Sequence, residues 1–156
     1  MTVDCKPTIV AIDDPRVNYF VVKLGPKILS RIGGYPACVA PIGDGGKFFA
    51  LKLYAYLTQE GSDVTYVEIR KGEGIPEYRL NDVRGRKLVI VDDAVYTATT
   101  FRRDVEPLKQ RERMDTLGLI EVLFAVEHDT RNLADMAANR ENEETKGPQD
   151  QGAKNP

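Results

Sequence analysis

KLVIVDDAVYTATTFRR (residues 87–103) is the stretch on which the fold of this chain turns. Its first five residues form a short apolar, β-branched run of the kind that makes a buried strand over 87–91. Two adjacent acids, Asp92 and Asp93, follow, then a hydroxyl-rich turn opening a helix expected over 99–113. In open α/β sheets ligands sit outside the carboxyl ends of strands, where this turn would lie. Carboxylates are acceptor-only groups, so Asp92 and Asp93 suit a vicinal diol. Thr97, Thr99 and Thr100, with the backbone N–H groups of the helix start, suit a phosphate. A diol and a phosphate together describe a ribose phosphate. The plainer alternative, an acidic strand end followed by turn and cap threonines, accounts for each residue singly.

Outward from that stretch, strands alternate with helices. Residues 37–42 read as a strand, 47–59 as a helix closed by Gly61, 64–69 as a strand and 119–126 as another. This order implies an α/β domain with a mostly parallel twisted sheet and helices on both faces. At the N-terminal flank, 8–12 (TIVAI) and 18–24 (NYFVVKL) are β-branched or aromatic runs, and Gly25-Pro26 opens a short helix through residue 32. Residues 130–140 read as a short amphipathic helix. Residues 141–156 carry no aliphatic or aromatic side chain beyond one alanine and read as a disordered tail, leaving one domain over 1–140.

A second motif, APIGDGGKFFA (residues 40–50), also runs from a strand through glycines into a helix. Gly43, Gly45 and Gly46 let the backbone turn several N–H groups toward an anion without interference from Cβ atoms. Arg70 and Lys71 end the 64–69 strand, and the glycines and proline of GEGIPEYR (72–79) suit a mobile loop.

The pattern V-D-D-x-x-x-T-x-x-T after a buried strand resembles the phosphoribosyl-diphosphate signature of the type I phosphoribosyltransferases, over roughly residues 36–127. The resemblance implies a small hood built from terminal segments over the parallel sheet. It gives Asp92 and Asp93 the ribose hydroxyls and a catalytic role, and lets Ala94, Val95, Tyr96, Thr97, Ala98, Thr99 and Thr100 wrap the 5-phosphate. Pyrophosphate would fall to Gly43, Asp44, Gly45, Gly46, Arg70 and Lys71, with Lys71 assisting catalysis. Mg2+ would reach Asp92 and Asp93 through ligand or water. The partners implied are phosphoribosyl pyrophosphate, a nucleobase and further copies of the chain in a homo-oligomer.

Three positions depart from the family pattern. Ala98 stands where glycine is usual, and a positive φ there would strain alanine. Asp44 puts a carboxylate in the pyrophosphate turn, which repels the ligand unless magnesium intervenes. Tyr96 replaces the carboxylate that the 6-oxopurine enzymes carry before the motif threonine. The run DDAVYTATTFR is closer to the pyrimidine-operon attenuator proteins that double as uracil phosphoribosyltransferases, matched at Thr100 and Arg102. A nucleotide-sensing regulator that binds RNA is therefore the second reading.

Composition narrows these readings. The chain has 156 residues, 42% hydrophobic and 29% charged, with net charge -2 and a pI near 5.5, which suits one domain and argues against a general polyanion binder. An RNA surface would need a local basic face such as Arg102, Arg103, Lys109, Arg111 and Arg113, and such a run more often forms a solvated helix face. Cys5 and Cys38 lack zinc spacing and read as small buried residues. With no signal peptide or long apolar run, a cytoplasmic protein without membrane contact is expected. AIDDPRV near the N-terminus suggests a receiver-like domain, but no aspartate lies between Gly46 and Ser62 to accept phosphate. His128 falls at a ligand-facing strand end, where an exposed loop histidine is the plain expectation.

Overall fold

The computed structural model of the chain describes residues 11–140. The expectations for Cys5, for residues 8–10 and for the 141–156 tail lie outside that range. Five parallel strands form one sheet: β1 (Ala37–Pro41), β2 (Val64–Tyr66), β3 (Lys87–Val95), β4 (Glu121–Asp129) and β5 (Met136–Arg140). Their order is β2-β1-β3-β4-β5, so the topology switches direction between β1 and β3. Ligand crevices of open α/β sheets form at such a switch point.

The alternation of a strand's side chains sorts the core onto two faces. Val39, Val89, Val91, Leu123 and Ala125 pack against α1 (Pro15–Ile32) and α2 (Lys47–Gln59). Cys38, Ala40, Leu88, Ile90, Phe124 and Val126 face the other way, toward Val105, Leu108 and Leu117 of the helical segment between β3 and β4. Cys38 is a core residue, and burial pushes its thiol up to about 11. Among the described residues no helix is long and apolar enough to cross a membrane.

Four segments depart from the sequence reading. Residues 18–24 are helical, because Val17, Phe20, Val21, Leu24, Ile28 and Ile32 recur at helical spacing and bury one continuous stripe. Asp14 caps this helix by accepting from the Arg16 N–H at 2.8 Å, and Pro15 opens it. The Gly25-Pro26 pair lies inside it, not at its start; a Cβ at Gly25 would come within 2.9 Å of Tyr56 Cε2, so glycine lets α1 and α2 close. The N-terminal segment expected to contribute to a hood thus lies, as far as it is described, in the core layer.

The helix expected over 99–113 is broken. A π-helical turn (Phe101–Val105) leads into α3 (Glu106–Lys109), Gln110 is extended at ψ 153°, and α4 (Arg111–Leu117) ends at Gly118 with φ 67°. Pro107 has no N–H to return to residue 103, and the wider turn accommodates it. Residues 136–140 form strand β5 instead of a helix. The buried Asp129 carboxylate accepts from the N–H groups of Arg131, Leu133 and Ala134, so the chain turns tightly and re-enters the sheet. Finally, β3 runs to Val95, with Ala94 opposite His128 and Val95 opposite Asp129. The acid pair therefore lies within the strand and not in the turn beyond it.

Candidate active site

The carboxyl ends of β1 and β3 bring the two sequence motifs together. A Cβ on Gly45 would sit 2.8 Å from Asp93 Oδ1, and one on Gly46 would sit 2.4 Å from the Val91 carbonyl oxygen. The glycine turn thus lies directly on the acid-bearing strand. Gly43 takes φ 60°, and the Lys71 stem crosses it, with Cε 2.9 Å from where a Cβ would stand. A cavity of about 130 Å³ opens here, lined by Lys71, Asp92, Asp93, the loop from Ala94 to Ala98, Thr100, and the rings of Phe101 and Phe124.

Asp92 is 5% exposed. The acids were expected beyond the end of the strand, and the extension of β3 is what buries Asp92. Burial, and then the charge of Asp93, pushes its carboxyl well above the usual carboxylate range, while Lys71 pulls the other way. The Asp93 N–H donates to Asp92 Oδ1 at 2.9 Å. Asp93 is half-buried beside it.

The loop after the acids is strapped from β4. Thr130 donates through its N–H (3.2 Å) and hydroxyl (2.7 Å) to the Val95 carbonyl, and Arg131 Nε donates to the Tyr96 carbonyl at 2.8 Å. In a planar trans peptide the N–H points opposite to its carbonyl, so these straps turn the N–H groups of Tyr96 and Thr97 away from residues 130 and 131. Ala98 adopts φ 68°, the conformation that glycine supplies without strain. Thr97 Oγ1 accepts from the Thr99 N–H at 3.4 Å, and the Thr97 hydroxyl lies 3.2 Å from that of Thr99.

Of the residues singled out in the sequence, Lys71, Asp92, Asp93, Ala94, Val95, Tyr96, Thr97, Ala98 and Thr100 line the cavity. Gly43, Gly45 and Gly46 adjoin it through their contacts with Lys71, Asp93 and β3. Asp44 and Thr99 are exposed and do not line it. Arg70 turns toward Glu73 (3.8 Å) and the Tyr78 hydroxyl (3.4 Å). At the head of the loop expected to be mobile (72–79), Arg70 and Gly74 exchange backbone hydrogen bonds at 2.9 and 2.8 Å, and Glu77–Asp82 form a 3₁₀ turn. His128 is half-buried within β4, not in a loop, with its ring 5.8 Å from that of Tyr96. On the basic helix face, Arg103 is engaged by Asp104 and Lys109 by Asp135.

Other residues around the site escaped sequence reasoning. Phe101 and Phe124 stack at 5.6 Å beneath the loop, and only the apolar spacing of β4 pointed inward at Phe124. Glu127 is half-buried and accepts from Asn139 Nδ2 at 2.6 Å, and burial raises its carboxyl. Thr130 and Arg131 act through backbone carbonyls, which leaves no motif.

This geometry agrees with the similarity to known structures. The chain is similar to a hypoxanthine phosphoribosyltransferase from Staphylococcus aureus (TM-score 0.61, 15% identity, 81% of this chain and 73% of that one). A purine phosphoribosyltransferase from Pyrococcus horikoshii Ot3 gives a TM-score of 0.58 at 22% identity, covering 80% and 81%. The fold is that of the type I phosphoribosyltransferases. A hypoxanthine phosphoribosyltransferase from Trypanosoma cruzi, in complex with the product IMP, gives a TM-score of 0.63 at 18% identity, covering 81% and 72%. No protein-family model and no curated protein matches the chain. The phosphoribosyltransferase fold is thus carried by a sequence only 15–22% identical to these structures.

Proposed function

We propose that the protein transfers the ribose 5-phosphate of phosphoribosyl pyrophosphate to a nucleobase, releasing pyrophosphate. What carries this reading is the convergence, at one switch point, of the glycine turn on Asp93 and of Lys71 on Gly43. Asp92 and Asp93 accept from the ribose hydroxyls, the loop from Ala94 to Thr100 encloses the 5-phosphate, and Lys71 with the N–H groups of Gly45 and Gly46 meets the pyrophosphate, the Gly43 N–H being given to the Ile69 carbonyl at 3.1 Å. The anomeric C–O bond breaks as a ring nitrogen of the base forms the new C–N bond. Catalysis then consists of positioning and charge neutralisation.

Among the described residues no three His, Cys, Asp or Glu side chains gather to cage a metal. Two adjacent carboxylates instead fit a magnesium ion arriving with the substrate phosphates, since Mg2+ keeps waters and takes one or two carboxylates. When bound, that ion supplies charge neutralisation at the leaving pyrophosphate. A homo-oligomer in the cytoplasm fits the same reading, and light scattering would check the oligomer.

Tyr96 favours a pyrimidine over a 6-oxopurine, because a phenol replaces the carboxylate that the purine enzymes place there. A pyrophosphate-release assay over a panel of nucleobases tests both the reaction and the base. The second reading, a catalytically weak homologue that senses a nucleotide or phosphoribosyl pyrophosphate, is favoured by Ala98 at φ 68°. Calorimetric binding of phosphoribosyl pyrophosphate with no turnover on any base would select it.

A further inference from the structure

Asp104 belongs to neither motif, yet its side chain is only 3% exposed. A carboxylate is costly to bury unless it is hydrogen-bonded and paired. Here it faces the Arg103 guanidinium, with Nη2 at 3.0 Å and Nε at 3.2 and 3.3 Å. Both of its oxygens also accept from the Gly72 N–H, at 3.1 and 3.3 Å.

Gly72 follows Lys71 in the turn that Arg70 and Gly74 close. Asp104 lies in the π-helical turn Phe101–Val105, which continues directly from the phosphate loop. One carboxylate therefore joins the wall that carries the cation to the wall that carries the loop. Gly72 and Arg103 are both exposed, so water could satisfy each of them if the carboxylate were absent. The fold alone does not demand this buried acid.

We propose that Asp104 is a positioning residue that holds Lys71 over the pyrophosphate subsite by clasping the 70–74 turn to the helical segment after the phosphate loop. The proposal rests on the phosphoribosyl-transfer reading and names a residue that sets its pyrophosphate end.

The test is a thermodynamic cycle on the full chain with Asp104→Ala, Lys71→Ala and the double variant. Each is titrated calorimetrically with inorganic pyrophosphate plus magnesium chloride and, separately, with ribose 5-phosphate. Asp104→Ala is expected to weaken pyrophosphate binding about tenfold, equivalent to about 1.4 kcal/mol, and to change ribose 5-phosphate affinity by less than about twofold. In the Lys71→Ala background it should add nothing, because contacts that act through a shared partner are not additive. Asp104→Asn, whose carbonyl can still accept from Gly72, should restore most of the affinity. Should the alanine protein fail to melt cooperatively, Asp104→Ser replaces it with the same expectation, its hydroxyl being one bond too short to reach Gly72. Equal weakening of both ligands, or the full tenfold loss persisting without Lys71, would overturn the proposal. If Lys71→Ala weakens pyrophosphate binding and Asp104→Ala does not, the clasp alone fails. If Lys71→Ala itself changes nothing, the assignment of the pyrophosphate subsite fails, and the clasp with it.

Discussion

At Gly46 a Cβ would meet the Val91 carbonyl oxygen at 2.4 Å, whereas Ala98 carries its Cβ in a left-handed conformation, with φ 68°, in a loop strapped by Thr130 and Arg131. The glycine turn keeps its shape because side chains are missing where it touches β3. The phosphate loop keeps its shape because neighbours hold its carbonyls, and they hold it even against the preference of alanine. Sites that depend on a missing atom tolerate no addition, while sites that depend on straps can absorb local strain.

This contrast is broken most severely at Gly46. Gly46→Ala should destabilise the protein by about 3 kcal/mol, at the upper end of overpacking costs because the opposing atom is backbone. A urea unfolding series reads this directly, and an unchanged midpoint would mean that the turn can move off β3.

The acid pair comes next. Asp92→Asn with Asp93→Asn should weaken ribose 5-phosphate binding, each lost charged hydrogen bond being worth about 1.5–3 kcal/mol. The two acids should differ in the unliganded protein. Asp92 is raised by burial, so its protonated form is favoured by folding. Its stabilising effect is complete below the unfolded carboxylate range near about pH 4. That effect is lost as pH rises toward the higher folded value, when the buried group must ionise. Asp92→Asn should therefore raise neutral-pH stability and flatten its decline above about pH 4, with Glu127 leaving a residual slope. Asp93→Asn, which removes the neighbouring charge but leaves Asp92 buried, should act in the same direction and more weakly. Denaturant midpoints measured from acid to neutral pH separate them, and parallel curves for wild type and Asp92→Asn would show that Asp92 is not the burdened acid.

The smallest effect is expected at Ala98. A left-handed alanine costs about 1–2 kcal/mol and glycine returns about 0.5–1 kcal/mol of that through chain entropy. Ala98→Gly should thus stabilise the protein by about 0.5 kcal/mol in the same unfolding assay, and turnover should hold or rise. A destabilised glycine variant would mean that the methyl group packs usefully.

The parallel sheet and the converging loops were legible because they are written in local patterns. Apolar runs leading into Gly43 to Gly46 and into Asp92 to Thr100 mark the side of the sheet on which the site lies, and the question of glycine geometry at position 98 followed from the family pattern alone. What escaped depends on residues outside the segment being read. Residues 18–24 look like a strand when read alone, and their helical stripe shows only when Val17, Ile28 and Ile32 are read with them. Met136–Arg140 looks helical until Asp129 gathers the N–H groups of the preceding turn. The burial of Asp92 required β3 to continue past the last apolar residue of its run, which happens through pairing with His128 and Asp129 on β4 and leaves no mark near residue 92. Asp104 and Arg131 act on backbone groups far away in sequence, and no spacing rule reaches them.

The most direct measurement is calorimetric titration of the full chain with phosphoribosyl pyrophosphate, with and without magnesium, beside the Asp92→Asn, Asp93→Asn double variant. Saturable binding that strengthens with magnesium and weakens by at least about tenfold in the double variant is expected, one charged hydrogen bond alone being worth that much. Absence of binding under both conditions, or equal affinity in the double variant, would contradict a ribose phosphate site at the carboxyl ends of β1 and β3.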